Sequence, residues 1–217
     1  MKDFLVKIKE LEGIRASFLT RYDGVVVDTD KEATVKRLEP QHREGVRELG
    51  FTWDQCWRAE QVHGAEVAKV DRSDSRAYMI DGVDGLITAD PGVLLGIYIA
   101  DCGAIYLVDR ETKAIGLLHS GKKGTEFGIL EKGLGMMGAE FGTKPKNVVV
   151  ALAPCIRPPA YENDFAQDIW LQAERMGIKK ENYVDSGVCT SSDLSTYYSY
   201  RMEKGATGRM LALLGKI

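Results

Sequence analysis

The chain has 217 residues, of which 44% are hydrophobic and 28% charged, with a formal net charge of −3. This composition is typical of a soluble globular protein and predicts one domain, 1–217, without the global basic field that favours nucleic-acid partners. No apolar run approaches the ~20 residues of a membrane helix, and the N-terminal sequence MKDFLVKIKELEG lacks the apolar core of a signal peptide. We therefore expect a cytoplasmic protein with neither a membrane nor a nucleic-acid partner.

The four cysteines lie far apart in the sequence, at positions 56, 102, 155 and 189. None forms a C-x-x-C pair, which excludes a zinc ribbon and a thioredoxin-like motif. In a reducing compartment they are expected to be free thiols. Most free cysteines are small buried hydrophobic residues, so a functional role for any of them needs further evidence.

The first part of the chain predicts two strands and a helical region. Alternating apolar residues favour strands over Phe4–Ile8 and Ile14–Thr20. Lys31–Leu49 has helical composition, with Gly50 as its stop. We expect Pro40 to split this region into two helices or an offset pair, because proline lacks an amide donor and clashes with the preceding turn.

The middle of the chain is predicted to form mainly strands. Glu60–Val70 has strand character, Asp71–Ala77 is a polar loop, and Leu86–Thr88 is a short strand. Two continuous apolar runs, Val93–Ala100 and Ala114–Leu118, are typical of buried strands.

The last third mixes helices and strands. Gly124–Phe141 and Asp164–Met176 are predicted helices, and Asn147–Leu152 is a predicted buried strand. Tyr197–Arg201 is expected to form an aromatic-rich strand, and Thr207–Leu214 a closing helix. The succession of elements predicts a mixed α/β fold in which helices cover sheet faces.

Chemically versatile side chains follow the buried strands. The first apolar run ends on Asp101 and Cys102, the second ends on His119, and His63 precedes another strand-like run. Side chains just beyond a strand end are held by a rigid scaffold while they face an open edge. The third histidine of the chain, His42, lies in a charged helical stretch and is expected to be exposed.

The residues alone allow three interpretations of these side chains. His63, Cys102 and His119 offer the two imidazoles and one thiolate that zinc prefers, with a fourth position left for water or substrate. Cys102 could instead be a nucleophile with His119 as its base and Asp101 as the orienting group. In the third interpretation the histidines only cap strands and Cys102 packs in the core.

Basic residues near these positions are candidates for anion binding. Lys122 and Lys123 follow Gly121 ahead of the predicted helix, while Arg21 and Arg209 lie in turns. Each of them could contact a phosphate group. Exposed positions in contact with solvent would explain the presence of these basic residues equally well.

Taken in order, a set of short motifs resembles one family over almost the whole chain. The motifs are Leu19-Thr20-Arg21, Gln61-Val62-His63-Gly64, Asp84-Gly85-Leu86-Ile87-Thr88, Ala100-Asp101-Cys102, His119-Ser120-Gly121, Ala153-Pro154-Cys155-Ile156, Cys189-Thr190, Tyr198-Ser199-Tyr200-Arg201 and Thr207-Gly208-Arg209. The sequence resembles the YfiH-like family, also called the laccase-domain or multicopper polyphenol oxidase family.

The resemblance implies a fold, a metal and a reaction. The fold would be a layered α/β/β/α sandwich with mixed sheets, and the ligands of Zn²⁺ would be His63, Cys102 and His119. The implied activity is that of a purine nucleoside phosphorylase, which converts adenosine, inosine or methylthioadenosine and phosphate to the base and ribose 1-phosphate, with adenosine deamination as a further reaction. Arg21, Lys123 and Arg209 are then the candidates for binding the substrate or its anion.

The same family resemblance leaves two alternative activities open. One is hydrolysis of a peptidoglycan precursor by Cys102 or by zinc-activated water. The other is the polyphenol oxidase activity of the family name, but a laccase needs several copper ions and more than three histidines. The oligomeric state is not predicted, and both a monomer and a weak dimer are compatible with the sequence.

The chain departs from the family pattern after His119. Where the family usually has tryptophan and arginine, this chain has Lys122 and Lys123. The first change removes a flat surface that could stack on a base, and the second keeps the charge but loses the bidentate fork of arginine. The substrate is therefore less firmly implied than the metal.

Overall fold

The hydrophobic strands form two mixed sheets that pack face to face. The computed structural model describes residues 3–73 and 78–217. Within these residues the strands are β1 (Ile14–Leu19), β2 (Cys56–Ala59), β3 (Val67–Lys69), β4 (Met79–Ile80), β5 (Gly85–Thr88), β6 (Val93–Ile99), β7 (Gly103–Asp109), β8 (Ile115–Ser120), β9 (Val148–Leu152), β10 (Tyr183–Asp185) and β11 (Met210–Lys216). The first sheet has the order β1-β11-β6-β2-β4, and the second has the order β10-β9-β7-β8-β5-β3. Parallel and antiparallel pairs occur in both sheets.

Helices cover the outer faces of both sheets. The helices of the described residues are α1 (Val6–Lys9), α2 (Lys31–Glu48), α3 (Lys122–Glu126), α4 (Ile129–Phe141) and α5 (Phe165–Arg175). Helix α2 packs on the first sheet, whereas α4 and α5 pack on the second. The predicted α/β/β/α layering is confirmed. None of these helices is both long and apolar enough to cross a lipid bilayer.

Alternate residues of the central strands face opposite layers. In β6, Leu95, Ile97 and Ile99 point into the core between the sheets, while Leu94 and Tyr98 point towards α2. Successive side chains of a strand lie on opposite faces, so a strand covered on both sides needs apolar residues throughout. This is why the strongest strands appear in the sequence as unbroken apolar runs.

Several predicted elements are confirmed. The strands predicted at Ile14–Thr20, Leu86–Thr88 and Asn147–Leu152 correspond to β1, β5 and β9, and the helix predicted at Asp164–Met176 corresponds to α5. The two apolar runs that frame the candidate site correspond to β6 and β8, which lie in different sheets. Strand β7 lies between them in sequence and pairs with β8 as an antiparallel neighbour. The loop predicted at 71–77 lies partly outside the described residues.

The prediction of a strand at Phe4–Ile8 is wrong, because this segment contains helix α1. The Asp3 carboxylate accepts a hydrogen bond from the Leu5 amide at 3.0 Å and supports the start of the turn. Leu5 and Ile8 are both buried, and residues three apart share a helix face. A segment this short contains too few positions to distinguish a period of 2 from one of 3.6.

Helix α2 is continuous through Pro40, contrary to the predicted split. Its first turn is capped by the Asp30 carboxylate, which accepts a hydrogen bond from the Ala33 amide, and Gly50 follows its end with φ of 86°. The buried face of the helix includes His42, so the prediction that His42 is exposed is also wrong. Packing on the first sheet outweighs the local cost of the proline.

Four further predictions are corrected by the structure. The helix predicted at Gly124–Phe141 is divided into α3 and α4 at Gly128, whose φ of 72° is left-handed. Thr207–Leu214 does not form a helix but leads into β11, and Tyr197–Arg201 is not a strand but an irregular segment that ends in a turn. The strand predicted at Glu60–Val70 is limited to β3.

Strand β11 was mistaken for a helix because its apolar residues are continuous. It pairs with β1 on one side and β6 on the other, and its two faces are covered by the core and by α2. An unbroken apolar run is compatible with a buried strand and with a buried helix, and periodicity alone does not separate them.

The continuity of α2 predicts the effect of replacing its proline. Pro40 has no N–H to donate to the carbonyl one turn earlier. We expect Pro40→Ala to raise the free energy of unfolding by about 1–2 kcal/mol, because the helix-interior penalty of proline exceeds its stiffening of the unfolded chain. Chemical denaturation at matched metal content measures this, with the exposed Lys36→Ala as control. Unchanged or lower stability of Pro40→Ala would contradict the prediction.

Candidate metal centre and cavity

Three segments from both sheets bring together the predicted metal ligands. His63 lies in the loop between β2 and β3, Cys102 in the link from β6 to β7, and His119 in β8. One ligand atom from each residue lies within 4.8 Å of the other two. The two imidazole rings are 5.0 Å apart, centre to centre, and nearly perpendicular. Two nitrogen donors and one sulfur donor in this arrangement could hold one metal ion.

The buried carboxylate of Asp84 fixes both histidines. One carboxylate oxygen accepts hydrogen bonds from the His63 amide at 2.9 Å and from Nδ1 of His119 at 2.8 Å. The other oxygen accepts from the Gly64 amide at 2.7 Å. A carboxylate that binds one ring nitrogen of a histidine sets its tautomer and leaves the other nitrogen for a metal.

Asp84, rather than Asp101, therefore orients His119. One Asp101 oxygen accepts from the Thr190 hydroxyl, and the other accepts from the Arg201 amide, each at 2.7 Å. The Asp101 carbonyl accepts a third bond, from the Ile156 amide. The assignment of Asp101 as the orienting group is wrong, because its carboxylate bonds to Thr190 and Arg201 and not to His119.

Left-handed backbone conformations concentrate at the site. Gln61, His63 and Asp101 have φ values of 67°, 61° and 82°. Non-glycine residues in this region cost about 1–3 kcal/mol each and cluster at functional sites. Gln61 is held by two hydrogen bonds to the backbone of Tyr98, one donated and one accepted by its amide. These contacts fix the loop that carries His63.

Close packing at the site also requires a glycine. A Cβ at Gly121 would lie 2.6 Å from the sulfur of Cys102, closer than side chains approach one another. Gly121 follows the strand that carries His119 and is buried. The chain after β8 can therefore turn directly past the thiol.

Opposite charges stabilise each other at the thiol. Burial raises the pKa of Cys102, but His119 and His63 outweigh this effect and lower the pKa to about 6. Burial lowers the pKa of His119, whereas the Cys102 thiolate and Asp84 raise it above the usual histidine range. The thiolate form that metals and nucleophilic chemistry both require is therefore favoured near neutral pH.

The three side chains line a cavity of about 660 Å³. Aromatic residues form part of its wall, namely Tyr98, Tyr161, Phe165 and Tyr200. Basic residues form another part, namely Lys31, Lys122, Lys123, Arg201, Lys204 and Arg209. This size is within the range of small-molecule pockets, and the mixed lining suits a ligand with both flat and anionic groups.

The three predicted anion-binding residues have different positions. Lys123 and Arg209 line the cavity. Arg21 does not: its guanidinium donates to Glu203 at 2.5 Å and lies over the ring of Tyr198, 4.3 Å from the centroid. Because Glu203 also accepts from the Ser199 amide, Arg21 supports the loop that forms one side of the cavity.

Three residues of the site were not predicted from the sequence as functional candidates: Asp84, Lys31 and Lys204. Asp84 had a detectable signal, since an acidic residue directly precedes a buried strand. Lys31 and Lys204 had none, because each lies in a polar segment far from the other site residues in sequence. The two cysteines left open, Cys155 and Cys189, form a backbone bridge with each other and do not line the cavity.

Comparison with known sequences identifies the family. The sequence model described as multi-copper polyphenol oxidoreductase laccase matches residues 19–170 and 163–216. The chain belongs to this family. A relative from Geobacillus stearothermophilus, named purine nucleoside phosphorylase YlmD, is 31% identical over 77% of this chain and 74% of its own length. A purine nucleoside phosphorylase from Deinococcus radiodurans is 32% identical over 77% of this chain and 72% of its own length.

Solved structures of this family share the fold. The crystal structure of YlmD from Geobacillus stearothermophilus matches with a TM-score of 0.85 at 28% identity, over 95% of this chain and 93% of that one. The hypothetical protein YfiH from Bacillus licheniformis also gives a TM-score of 0.85, at 22% identity, over 97% and 95% of the two chains. The layered sandwich is therefore the fold of the family.

The contacts of Asp84 predict its effect on metal affinity. In Asp84→Asn the negative charge is lost and an NH₂ group replaces one acceptor oxygen, so either the Gly64 amide or both histidines lose their acceptor. We expect the affinity for Zn²⁺ to fall about 10–100-fold, the usual effect of losing such a partner. Competition with a chromophoric chelator measures this affinity.

A matched control separates metal affinity from general loss of stability. Asp109 is also buried and accepts from the amides of Glu111 and Thr112, but it lies at the far end of β7 from Cys102. Asp109→Asn should lower stability while leaving Zn²⁺ affinity unchanged. Equal Zn²⁺ affinity of Asp84→Asn and the wild type would show that Asp84 does not orient the ligands.

Proposed function

We propose that this protein is a zinc-dependent purine nucleoside phosphorylase that cleaves adenosine, inosine or methylthioadenosine, with adenosine deamination as a further reaction of the same site. The observation that carries the proposal is the donor set of His63, Cys102 and His119, placed on the wall of a cavity with aromatic and cationic residues. The names of the family relatives support the same reaction class.

The three donors fit zinc by their chemistry. Zinc binds imidazole nitrogen and thiolate sulfur, and the lowered pKa of Cys102 provides the thiolate. His119 donates Nδ1–H to Asp84, which leaves Nε2 as its ligand atom. A zinc ion held there would act as a Lewis acid that polarises an oxygen or nitrogen atom of the substrate.

In this proposal the cationic wall binds the attacking phosphate. Lys123 and Arg209 hold the anion against C1′ of the ribose, and this positioning makes the attack effectively unimolecular. A phosphate oxygen forms the new bond to C1′ as the bond from C1′ to N9 breaks. The purine leaves with that electron pair and takes up a proton. Arg21 acts indirectly, through Glu203 and the loop that precedes Arg209.

Product analysis of adenosine tests the proposal. We expect the zinc-loaded protein to form adenine and ribose 1-phosphate from adenosine only when phosphate is present. His119→Ala, checked for folding by circular dichroism, should reduce this rate at least about 100-fold, because the metal site loses one of its ligands. Inosine formed without phosphate would indicate deamination, and no conversion in either condition would refute the purine assignment.

A second candidate function is favoured by one specific arrangement. Cys102, His119 and Asp84 have the relations of a nucleophile, a base and an orienting carboxylate. In a thiol hydrolase, Cys102 would attack the carbonyl carbon of an amide substrate such as a peptidoglycan precursor. The C–N bond would break, the amine would leave with a proton from His119, and water would then release the acyl group. The copper oxidase activity of the family name has less support, because the described residues contain one three-residue His/Cys cluster.

Alkylation of Cys102 distinguishes the metal ligand from the free nucleophile. At pH 7 the thiolate is favoured, so iodoacetamide should modify Cys102 rapidly in metal-free protein. If Cys102 is a zinc ligand, Zn²⁺ should slow this modification at least about tenfold, and a chelator should restore it. Peptide mass spectrometry follows the modification, with Cys189 as the internal control. Equal rates with and without Zn²⁺ would favour the hydrolase.

A further inference from the structure

The cavity wall holds more positive charge than a neutral nucleoside and one phosphate require. Six cationic residues line it: Lys31, Lys122, Lys123, Arg201, Lys204 and Arg209. The acidic residue on the wall is Asp101, whose two carboxylate oxygens are already bonded to Thr190 and Arg201. The whole chain has a formal net charge of −3, so this concentration does not follow from a basic composition.

Two of the six cations have acidic partners. Arg201 contacts Glu162 at 2.6 Å, and Lys122 lies 3.9 Å from Glu126. In residues 3–73 and 78–217, the ion pairs do not include the other four, which are Lys31, Lys123, Lys204 and Arg209. Four cations on one wall are therefore free to bind anions.

In the part of the chain that the structure describes, the hydrogen bonds of Arg209 and Lys31 go to backbone carbonyls. Arg209 donates to the backbone carbonyls of Thr207 at 3.2 Å and Gly208 at 2.8 Å. Lys31 donates to the backbone carbonyl of Glu60 at 3.4 Å. Backbone carbonyls carry only partial charge, so they position these side chains without neutralising them.

The fold also brings two of these charges towards each other. Lys31 is the first residue of α2 and Arg209 directly precedes β11, so distant parts of the sequence supply them. Partial burial and the charge of Arg209 lower the pKa of Lys31, and the charges of Glu60, Asp84 and Glu32 only partly offset this. Like charges held near one another are destabilising, and anions bound to both residues would relieve this repulsion.

The number of charges points to a second anionic group. An anion such as inorganic phosphate carries about one to two negative charges near pH 7, and in the proposed function it occupies Lys123 and Arg209. Lys31 and Lys204 then have no counterpart in an uncharged nucleoside. We propose that the cavity selects a purine nucleoside that carries its own phosphate, a nucleoside monophosphate, with Lys31 and Lys204 as the residues that contact this group.

This inference rests on the proposed function and specifies its substrate. The cavity of about 660 Å³ lies within the range that holds ligands of this size. With adenosine 5′-monophosphate, attack of inorganic phosphate on C1′ would break the bond to N9 and release adenine. The other product would be ribose 1,5-bisphosphate.

Calorimetric titration in phosphate-free buffer tests the selection directly. Zinc-loaded protein should bind adenosine 5′-monophosphate about 10–100-fold more tightly than adenosine, the range expected for charge-assisted hydrogen bonds. The preference should decrease as salt increases. Lys31→Met and Lys204→Met should each reduce it several-fold, whereas Lys36→Met, on an exposed part of α2 outside the cavity, should not.

Competition with inorganic phosphate shows whether there are two anion sites. If the proposal holds, millimolar phosphate leaves binding of the monophosphate largely intact, because the two anions contact different lysines. Competitive displacement by phosphate would overturn the proposal by showing a single shared site. Loss of monophosphate binding in Lys123→Met, with full binding in Lys31→Met and Lys204→Met, would overturn it in the same way.

Turnover separates failure of this inference from failure of the proposed function. Phosphorolysis of adenosine without tighter binding or faster conversion of the monophosphate would refute the inference and leave the proposed function intact. If neither compound is converted, the proposed function fails, and the titrations still decide whether the cavity prefers the anionic ligand. Circular dichroism confirms the fold of each variant. Lys31 lies in α2 and Lys204 in a turn far from it in sequence, so a folding defect in one variant leaves the other as a test.

Discussion

The candidate site depends on one buried carboxylate. Asp84 is fully buried and accepts hydrogen bonds from the backbone of His63 and Gly64 and from the ring of His119. A buried negative charge is stable only if such partners compensate its desolvation. Because the partners come from a loop and from the second sheet, the carboxylate that requires them also fixes both histidines relative to each other.

The sandwich places the thiol opposite these histidines. The chain crosses from the first sheet to the second in the short link between β6 and β7, and Cys102 lies in that link. The strained backbone of Asp101 is held there by contacts from Thr190, Ile156 and Arg201. Two fully buried strands flank the link, so their packing energy can maintain the strain. The same rim carries the cationic residues, which gives a chain of net negative charge a locally positive cavity.

The success of the fold prediction depended on how much each segment determines its own structure. Asn147–Leu152 and Asp164–Met176 carry clear signals, an apolar run bounded by polar residues and an amphipathic pattern with an aspartate cap. Thr207–Leu214 does not, because an apolar run covered on both faces has no periodicity that separates strand from helix. At Pro40 the local signal was real, but the packing of α2 on the first sheet outweighed it.

The sequence alone determined the mixed α/β class and three chemically versatile residues, His63, Cys102 and His119, because strand ends are marked where apolar runs stop. Only the tertiary structure decided that these three meet, that Asp84 rather than Asp101 orients His119, and that Lys31 and Lys204 share a cavity with Arg209 while Arg21 pairs with Glu203. The physical reason is that such relations join residues far apart in the chain. Distances of this kind are set by how the two sheets pack, which no local pattern of residues encodes.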